Sequence, residues 1–325
     1  MKALFVDGAD APFRLADIPR PAPGAGQALV RIHASGVNPL DTKIRAGAAP
    51  HARHPLPAIL GLDLAGTVEA VGPDVAGFRP GDAVYGMTGG VGGIQGTLAE
   101  YAAVDAALLA HKPANFTMRQ AAALPLVVIT AWEGLVDRAK VGAGQSVLVQ
   151  GGAGGVGHMA VQIARAFGAE VFATGRAAQA DYLHSIGATP IDMQGEVADY
   201  VAEHTGGRGF DLVYDTLGGP TLDASFRAVR TFGHVVSCLG WGSHSLAPLS
   251  FKGGTYSGVF TLAPLLTGEG RARHGAILAE AAKLAEAGKL VPRLDPREFD
   301  FATVAQAYDA ITGHTAQGKL VVTVG

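Results

Sequence analysis

The chain has 325 residues and a mass of 33.1 kDa, with 48% hydrophobic and 16% charged side chains and a formal net charge of −3. Enough apolar material is present for the cores of about two domains, which excludes general disorder. The balance of 25 Lys+Arg against 28 Asp+Glu, with no basic run, excludes a field for gripping nucleic acid.

The single cysteine, Cys238, rules out an intramolecular disulfide and a multi-thiolate zinc site, and fits a reducing cytoplasm. Near the start, Asp7, Asp10 and Arg14 interrupt any apolar core of the kind a signal peptide needs. The longest apolar run, residues 121–132, contains Pro125 and falls short of the about 20 residues that span a bilayer. Neither export nor a membrane partner is expected.

In chain order, the first 115 or so residues read as short strands punctuated by Gly and Pro: 2–6, 28–35, 64–71, 83–86 and 98–104. From residue 145 the rhythm changes. Strands at 145–150, 170–174, 190–193, 210–215 and 233–239 alternate with helices at 158–167, 179–186, 197–204 and 222–229, the signature of a parallel, doubly wound sheet. A helix at 276–287 and a strand at 318–324 close the chain. That tail is too small for an independent core, so it is expected to pack back on the N-terminal β region. The expected domains are 1–120 and 258–325 as one folding unit, interrupted by 121–257.

The most specific motif is Gly152-Ala-Gly-Gly-Val-Gly157, where Gly152, Gly154 and Gly157 have the G-x-G-x-x-G spacing between a strand and a helix. Glycines here permit a tight turn, a close approach to a pyrophosphate, and packing of the helix on the strand. Gly155 and Val156 add the free N–H groups of the helix start. The motif predicts dinucleotide binding. The next strand ends in Thr174-Gly175-Arg176, without the acid that would take a ribose 2′-hydroxyl. Glu170 begins that strand, on the order of 16 Å from the ligand edge. Arg176 stands where a 2′-phosphate would lie, which favours NADPH over NADH; the plain alternative is a solvated surface arginine. Thr216, Gly218, Leu239 and Gly240, at later strand ends, are further cofactor-edge candidates, with Gly218 equally readable as a turn glycine.

The order of Gly36-VNPLDTKIRAG, Gly61-LDLAGTVEAVG, Pro80-GDAVYGMTGG, Gly96-TLAEYAAV, Thr130-AWEGL, the glycine motif and Gly318-KLVVTV resembles the zinc-free quinone oxidoreductase branch, zeta-crystallin-like, of the medium-chain dehydrogenase/reductase superfamily. The resemblance implies an α/β protein: a GroES-like β-barrel catalytic domain with an inserted Rossmann-type doubly wound sheet. Zinc-dependent relatives carry Gly-His-Glu where this chain has Gly61-Leu62-Asp63, and Leu62 cannot bind a metal. No metal site is expected.

The same resemblance places Asn38 beside the nicotinamide, where its amide N–H₂ would donate to an acceptor oxygen; an Asn before Pro39 is also a common turn residue. Tyr85 would donate its phenol or line the pocket, and Asp63 replaces an acid of the zinc sphere or is structural. Thr130 matches a threonine packed near the nicotinamide, with a helix-cap role as the alternative, and Lys319 matches a lysine near the cofactor phosphates or is a solvated residue. The glycine-rich segment 89–96 reads as a mobile flap.

The implied function is zinc-independent, NADPH-dependent hydride transfer to a small-molecule quinone or other activated acceptor. The alternatives are reduction of an α,β-unsaturated ketone or aldehyde or of an enoyl thioester, and a non-catalytic NADPH-binding role. The family commonly dimerises through an edge strand, for which residues 255–260 are placed to serve.

Overall fold

In the computed structural model, described from Met1 to Gly325, the chain divides into two compact units. One comprises Met1–Leu126, Leu262–Gly288 and Pro292–Gly325; the other comprises Val127–Thr261 and Lys289–Val291. The elements run β1 (Lys2–Val6), β2 (Phe13–Asp17), β3 (Gln27–Val37), α1 (Pro39–Arg45), β4 (Ala58–Ile59), β5 (Asp63–Val71), β6 (Ala83–Met87), β7 (Tyr101–Asp105), β8 (Leu109–His111), α2 (Met118–Ala122) and α3 (Pro125–Trp132). Then come β9 (Ser146–Gln150), α4 (Gly155–Ala166), β10 (Glu170–Gly175), α5 (Ala180–Ser185), β11 (Thr189–Asp192), α6 (Val197–Thr205), β12 (Phe210–Asp215), α7 (Pro220–Ala228), β13 (Val229–Ser237), α8 (Ala247–Ser250) and β14 (Thr255–Gly258). The chain closes with α9 (Ala263–Thr267), α10 (Arg271–Glu286), α11 (Val304–Thr312) and β15 (Leu320–Thr323). No helix is long and apolar enough to cross a membrane.

In the first unit β3 is the hub. It pairs antiparallel with β5 along most of its length, with β7 over residues 27–31 and with β15 over residues 34–37. Register irregularities between Leu29 and Val30 and between Ile32 and Ala34 bend the strand, as bulges do, between its two later partners. Val30, Ile32, Leu64, Val68, Val84 and Val104 fill the core beneath it. Helix α2 packs against β3 at Gly36, where an added Cβ would lie 2.2 Å from the carbonyl oxygen of Ala122.

Two elements here are invisible to pattern reading. β2 is a five-residue strand, mostly exposed, yet pairs with β1 over its whole length. Helix α1 hides behind Pro39, which is favourable at a first helical position. The expected strand at 98–104 begins only at Tyr101. Upstream of it the backbone bonds elsewhere: the Leu98 N–H donates to the Leu60 carbonyl, and the Leu98 carbonyl accepts from the Leu4 N–H. The segment expected to be a flap is stitched down in the same way, with Gly92 N–H to the Ala52 carbonyl and Gly96 N–H to the Ile59 carbonyl.

The second unit holds a parallel sheet in the order β11-β10-β9-β12-β13-β14. The chain winds outward from β9 to one side and returns to build the other, so β9 and β12 meet where the winding reverses. In such sheets the ligand crevice lies at the carboxyl ends of the strands at this reversal. Leu148, Phe172, Phe210, Val213, Phe226 and Val235 form its core.

Candidate functional site

At the carboxyl end of β9 the chain turns through Gly151, whose φ of 76° is in the left-handed region that favours glycine, and enters α4 directly at Gly155. The motif glycines have different jobs. A Cβ on Gly152 would lie 2.5 Å from the Cβ of Ala173, and one on Gly157 would lie 2.1 Å from the Gly151 carbonyl oxygen. These two permit internal packing. Gly154 is exposed and meets only the Gly151 oxygen, at 3.2 Å, so its outer face is left for a ligand. It is the N-cap of the 12-residue α4, with no side chain capping the first N–H groups. Gly155 and Val156 supply those groups, a cradle suited to a pyrophosphate.

Neighbouring strand ends hold the turn in place. The Gly152 N–H donates to the Thr174 carbonyl at 2.9 Å, and the Gly151 N–H donates to Thr174 Oγ1 at 2.9 Å. The Thr174 hydroxyl in turn donates to Gln150 Oε1 at 2.8 Å. Thr174 is buried, so its side chain builds the turn. Just beyond it, Gly175 is buried and Arg176 is exposed, with its backbone N–H donating to Gln179 Oε1 at 2.9 Å. Thr216 donates to the Gln150 carbonyl at 2.7 Å.

Asp215, which sequence reasoning missed, organises the far side. Its fully buried carboxylate accepts from the N–H groups of Leu217 (3.1 Å) and Gly218 (3.0 Å) and from the Ser237 hydroxyl (2.7 Å). The carboxylate therefore fixes the ends of β12 and β13 together and shapes the backbone at Gly218, whose φ is 72°. The Ser237 hydroxyl also accepts from the Leu239 N–H at 3.1 Å, and Gly240 follows exposed. An acid at a strand end before Thr-Leu-Gly-Gly is an Asx-turn signal that sequence reading can find.

Thr130 lies inside α3, so the helix-cap alternative does not hold. Its hydroxyl pairs with that of Thr261 at 2.8 Å, and its carbonyl accepts from the Tyr214 hydroxyl at 2.7 Å.

The other unit contains a buried polar cluster set by strand register. Gly36 on β3 faces Asp63 at the start of β5, and Val37 faces Leu320 at the start of β15. Asn38, the next residue after β3, is thereby placed against both Asp63 and Lys319. Its Nδ2 donates to Asp63 Oδ2 at 2.9 Å, and the Lys319 ammonium donates to its Oδ1 and, at 3.3 Å, to the Val37 carbonyl. The other Asp63 oxygen accepts from the Leu126 N–H at 3.0 Å. As the N-cap of α1, Asn38 also donates its backbone N–H to Asp41 Oδ2 at 2.8 Å.

Burial governs the ionisation of this cluster. It pushes Asp41 up to about 8 and Asp63 up to about 6, with the Lys319 charge opposing both, and it lowers Lys319 against the pull of the two carboxylates.

Two expectations are corrected here. The resemblance implies a Lys319 near the cofactor phosphates, with a solvated lysine as the alternative, but the residue is almost wholly buried and its ammonium is bonded to Val37 and Asn38. Tyr85, expected to donate its phenol or line the pocket, is a core residue. It is fully buried on β6, its hydroxyl donates to the Leu278 carbonyl at 2.7 Å, and burial raises its pKa. Asn38 and Asp63 are brought together, and Tyr85 does not join them. The same unit has a pocket of about 530 Å³ lined by residues including Ile44, from the last turn of α1, and Leu56.

Comparison with known proteins fits this geometry. The alcohol dehydrogenase GroES-like domain profile matches residues 24–114, and the zinc-binding dehydrogenase profile matches residues 155–270. The chain is 34% identical over 304 residues to an NADPH-dependent alkenal/one oxidoreductase of Arabidopsis thaliana, covering 91% of this chain and 72% of that protein. It is 32% identical over 311 residues to a quinone oxidoreductase of Pongo abelii, covering 94% and 92%. It is 36% identical over 300 residues to the polyketide synthase protein NorB of Streptomyces orinoci, covering 92% of this chain but 13% of that much longer protein. The crystal structure of an alcohol dehydrogenase superfamily protein from Novosphingobium aromaticivorans superposes with a TM-score of 0.99 at 65% identity, covering all of both chains.

The zinc that the second profile's name implies does not fit these residues. Leu62 is fully buried, both oxygens of Asp63 already accept hydrogen bonds, and no three His, Cys, Asp or Glu side chains converge. A nicotinamide dinucleotide does fit, at the open face of Gly154 and the uncapped start of α4.

Proposed function

The chain belongs to the medium-chain dehydrogenase/reductase superfamily of NAD(P)-dependent oxidoreductases, in line with its zinc-free branch, and from that premise we propose that it is an NADPH-dependent reductase of quinones or enones. The observation that carries this reading is the pairing of an open Gly154 cradle with an exposed Arg176 at the end of the adjacent strand. Gly154, Gly155 and Val156 would hold the pyrophosphate, on a turn whose packing Gly152 and Gly157 permit. Thr174, Gly175 and Arg176 would hold the adenosine ribose with its 2′-phosphate, and Thr216, Gly218, Leu239 and Gly240 would border the rest of the nucleotide. Thr130 is retained as a residue packed near the nicotinamide.

When bound, the reduced nicotinamide supplies a hydride. The chain's own part is to orient the acceptor and stabilise the charge that develops on its oxygen. Without a Lewis acid at Leu62, the acceptor must already be electrophilic, as quinones and α,β-unsaturated carbonyls are.

Asn38 is the proposed donor to that oxygen. Its Nδ2 carries two hydrogens and uses one, on Asp63, which leaves one N–H able to donate. Enones form the second reading, supported by the name of the Arabidopsis relative.

The test is nucleotide oxidation with NADPH and NADH against a 1,4-quinone, a small enone and a simple ketone, alongside nucleotide binding by fluorescence. Turnover of the first two acceptors, faster with NADPH, is expected. Nucleotide binding with no turnover of any acceptor would leave only a binding role.

A further inference from the structure

We propose that Lys319 is a positioning residue for the acceptor's oxygen, acting through Asn38. This rests on the reading of Asn38 given above. A carboxamide has two nearly equivalent ends, and which one faces a substrate is decided by its neighbours. Here the neighbours leave no choice. Lys319 is an ammonium with donors only, and it bonds to Oδ1; Asp63 accepts from Nδ2. Both clamps are buried, so water does not compete for either end.

Flipping the amide would set Nδ2 against the ammonium and Oδ1 against the carboxylate, two repulsive contacts in a medium that screens poorly. The amide is therefore locked with its oxygen spent, and the only polar group it can offer a ligand is N–H. The ammonium also draws charge from the amide oxygen, which strengthens the N–H as a donor.

Lys319 is itself aimed by the fold. It directly precedes β15, its neighbour Leu320 is in register with Val37, and its ammonium has a second anchor in the Val37 carbonyl. The residue thus does for an amide what a tautomer-setting carboxylate does for a histidine: it selects which atom faces the chemistry.

The experiment compares Lys319→Met, Asn38→Ala and the double variant, with kcat for a small enone at saturating NADPH, KM for NADPH and the melting temperature as readouts. Lys319→Met is expected to lower kcat by about tenfold or more while KM for NADPH stays within about twofold, less than loss of a whole oxyanion donor, which costs about 100-fold. In the Asn38→Ala background the same substitution should have no further effect on kcat. Additive losses, or an unchanged kcat in Lys319→Met, overturn the proposal.

If Lys319→Met does not fold, wild-type protein labelled with 15N-asparagine carries the test, because Asn38 and Asn115 are its only asparagines. Asn115→Gln assigns the signals. A locked Asn38 amide holds its Nδ2 protons against exchange with solvent for longer than the part-buried amide of Asn115 does, and Asn38 protons that exchange as fast as those of Asn115 overturn the proposal. The spectrum needs no turnover, so a failure of the proposed reaction and a failure of the lock are told apart.

Discussion

The carbonyl oxygen of Gly151 occupies the space that a side chain at Gly157 would need, 2.1 Å from an ideal Cβ. Gly154, three residues earlier, meets the same oxygen at 3.2 Å, a contact that a shift of a few tenths of an ångström relieves. Two glycines of one motif should therefore fail differently. Gly157→Ala should force the turn apart and destabilise the unit by about 2 kcal/mol, as overpacking does. Gly154→Ala should leave the melting temperature within about 1 °C, under the about 2 °C expected for 1 kcal/mol, and weaken NADPH binding about tenfold or more, a loss of about 1.4 kcal/mol. Thermal melts and fluorescence titration of both variants check this; equal losses of stability would refute the division of roles.

Arg176→Ala should raise the KM for NADPH by about tenfold or more, the scale of one charge-assisted hydrogen bond, and leave NADH nearly unchanged. Steady-state kinetics with both nucleotides decide the point. A parallel rise for NADH would remove Arg176 from the 2′-phosphate.

Tyr85→Phe removes one buried hydrogen bond to the Leu278 carbonyl and nothing else. A loss of about 1 kcal/mol and about 2 °C in melting temperature is expected, with kcat preserved. A large fall in kcat at intact stability would return the phenol to the chemistry.

Asp41, raised to about 8 in the fold against about 3.9 unfolded, favours folding in its protonated form. Its contribution is complete below about pH 4 and is lost as pH rises through about 8; Asp63, raised to about 6, acts in the same direction. Lys319, lowered in the fold, has the opposite sign, and its contribution grows as the pH climbs towards its unfolded value. Urea unfolding between pH 5 and 8 should show stability falling with pH, and Asp41→Asn, which keeps an acceptor for the Asn38 N–H, should flatten the slope. An unchanged slope in that variant would assign it elsewhere.

Strong chelators should leave activity with quinone and enone acceptors intact, since Leu62 and the doubly bonded Asp63 form no metal site. Activity lost on chelation and restored by added zinc would show that the donor set has been misread.

The nucleotide cradle was readable along the chain because its parts are consecutive: strand 146–150, glycine turn and helix follow within about twenty residues, and each glycine's job depends on neighbours a few positions away. The alternation of strand and helix after residue 145 declared a parallel sheet for the same reason, and the Leu62 substitution is legible at a single position. Cross-strand contacts have no such local mark. Asn38 and Lys319 are 281 positions apart and meet only because β15 pairs with the end of β3 in one register. Tyr85 looked like a pocket donor until α10 supplied the carbonyl that takes its proton, and Asp215 gained its role from Ser237 on the neighbouring strand. Sequence spacing determines what a turn can hold, because the backbone bonds locally. Which buried polar groups share a hydrogen bond is decided by strand register and burial, which exist only once the chain is folded.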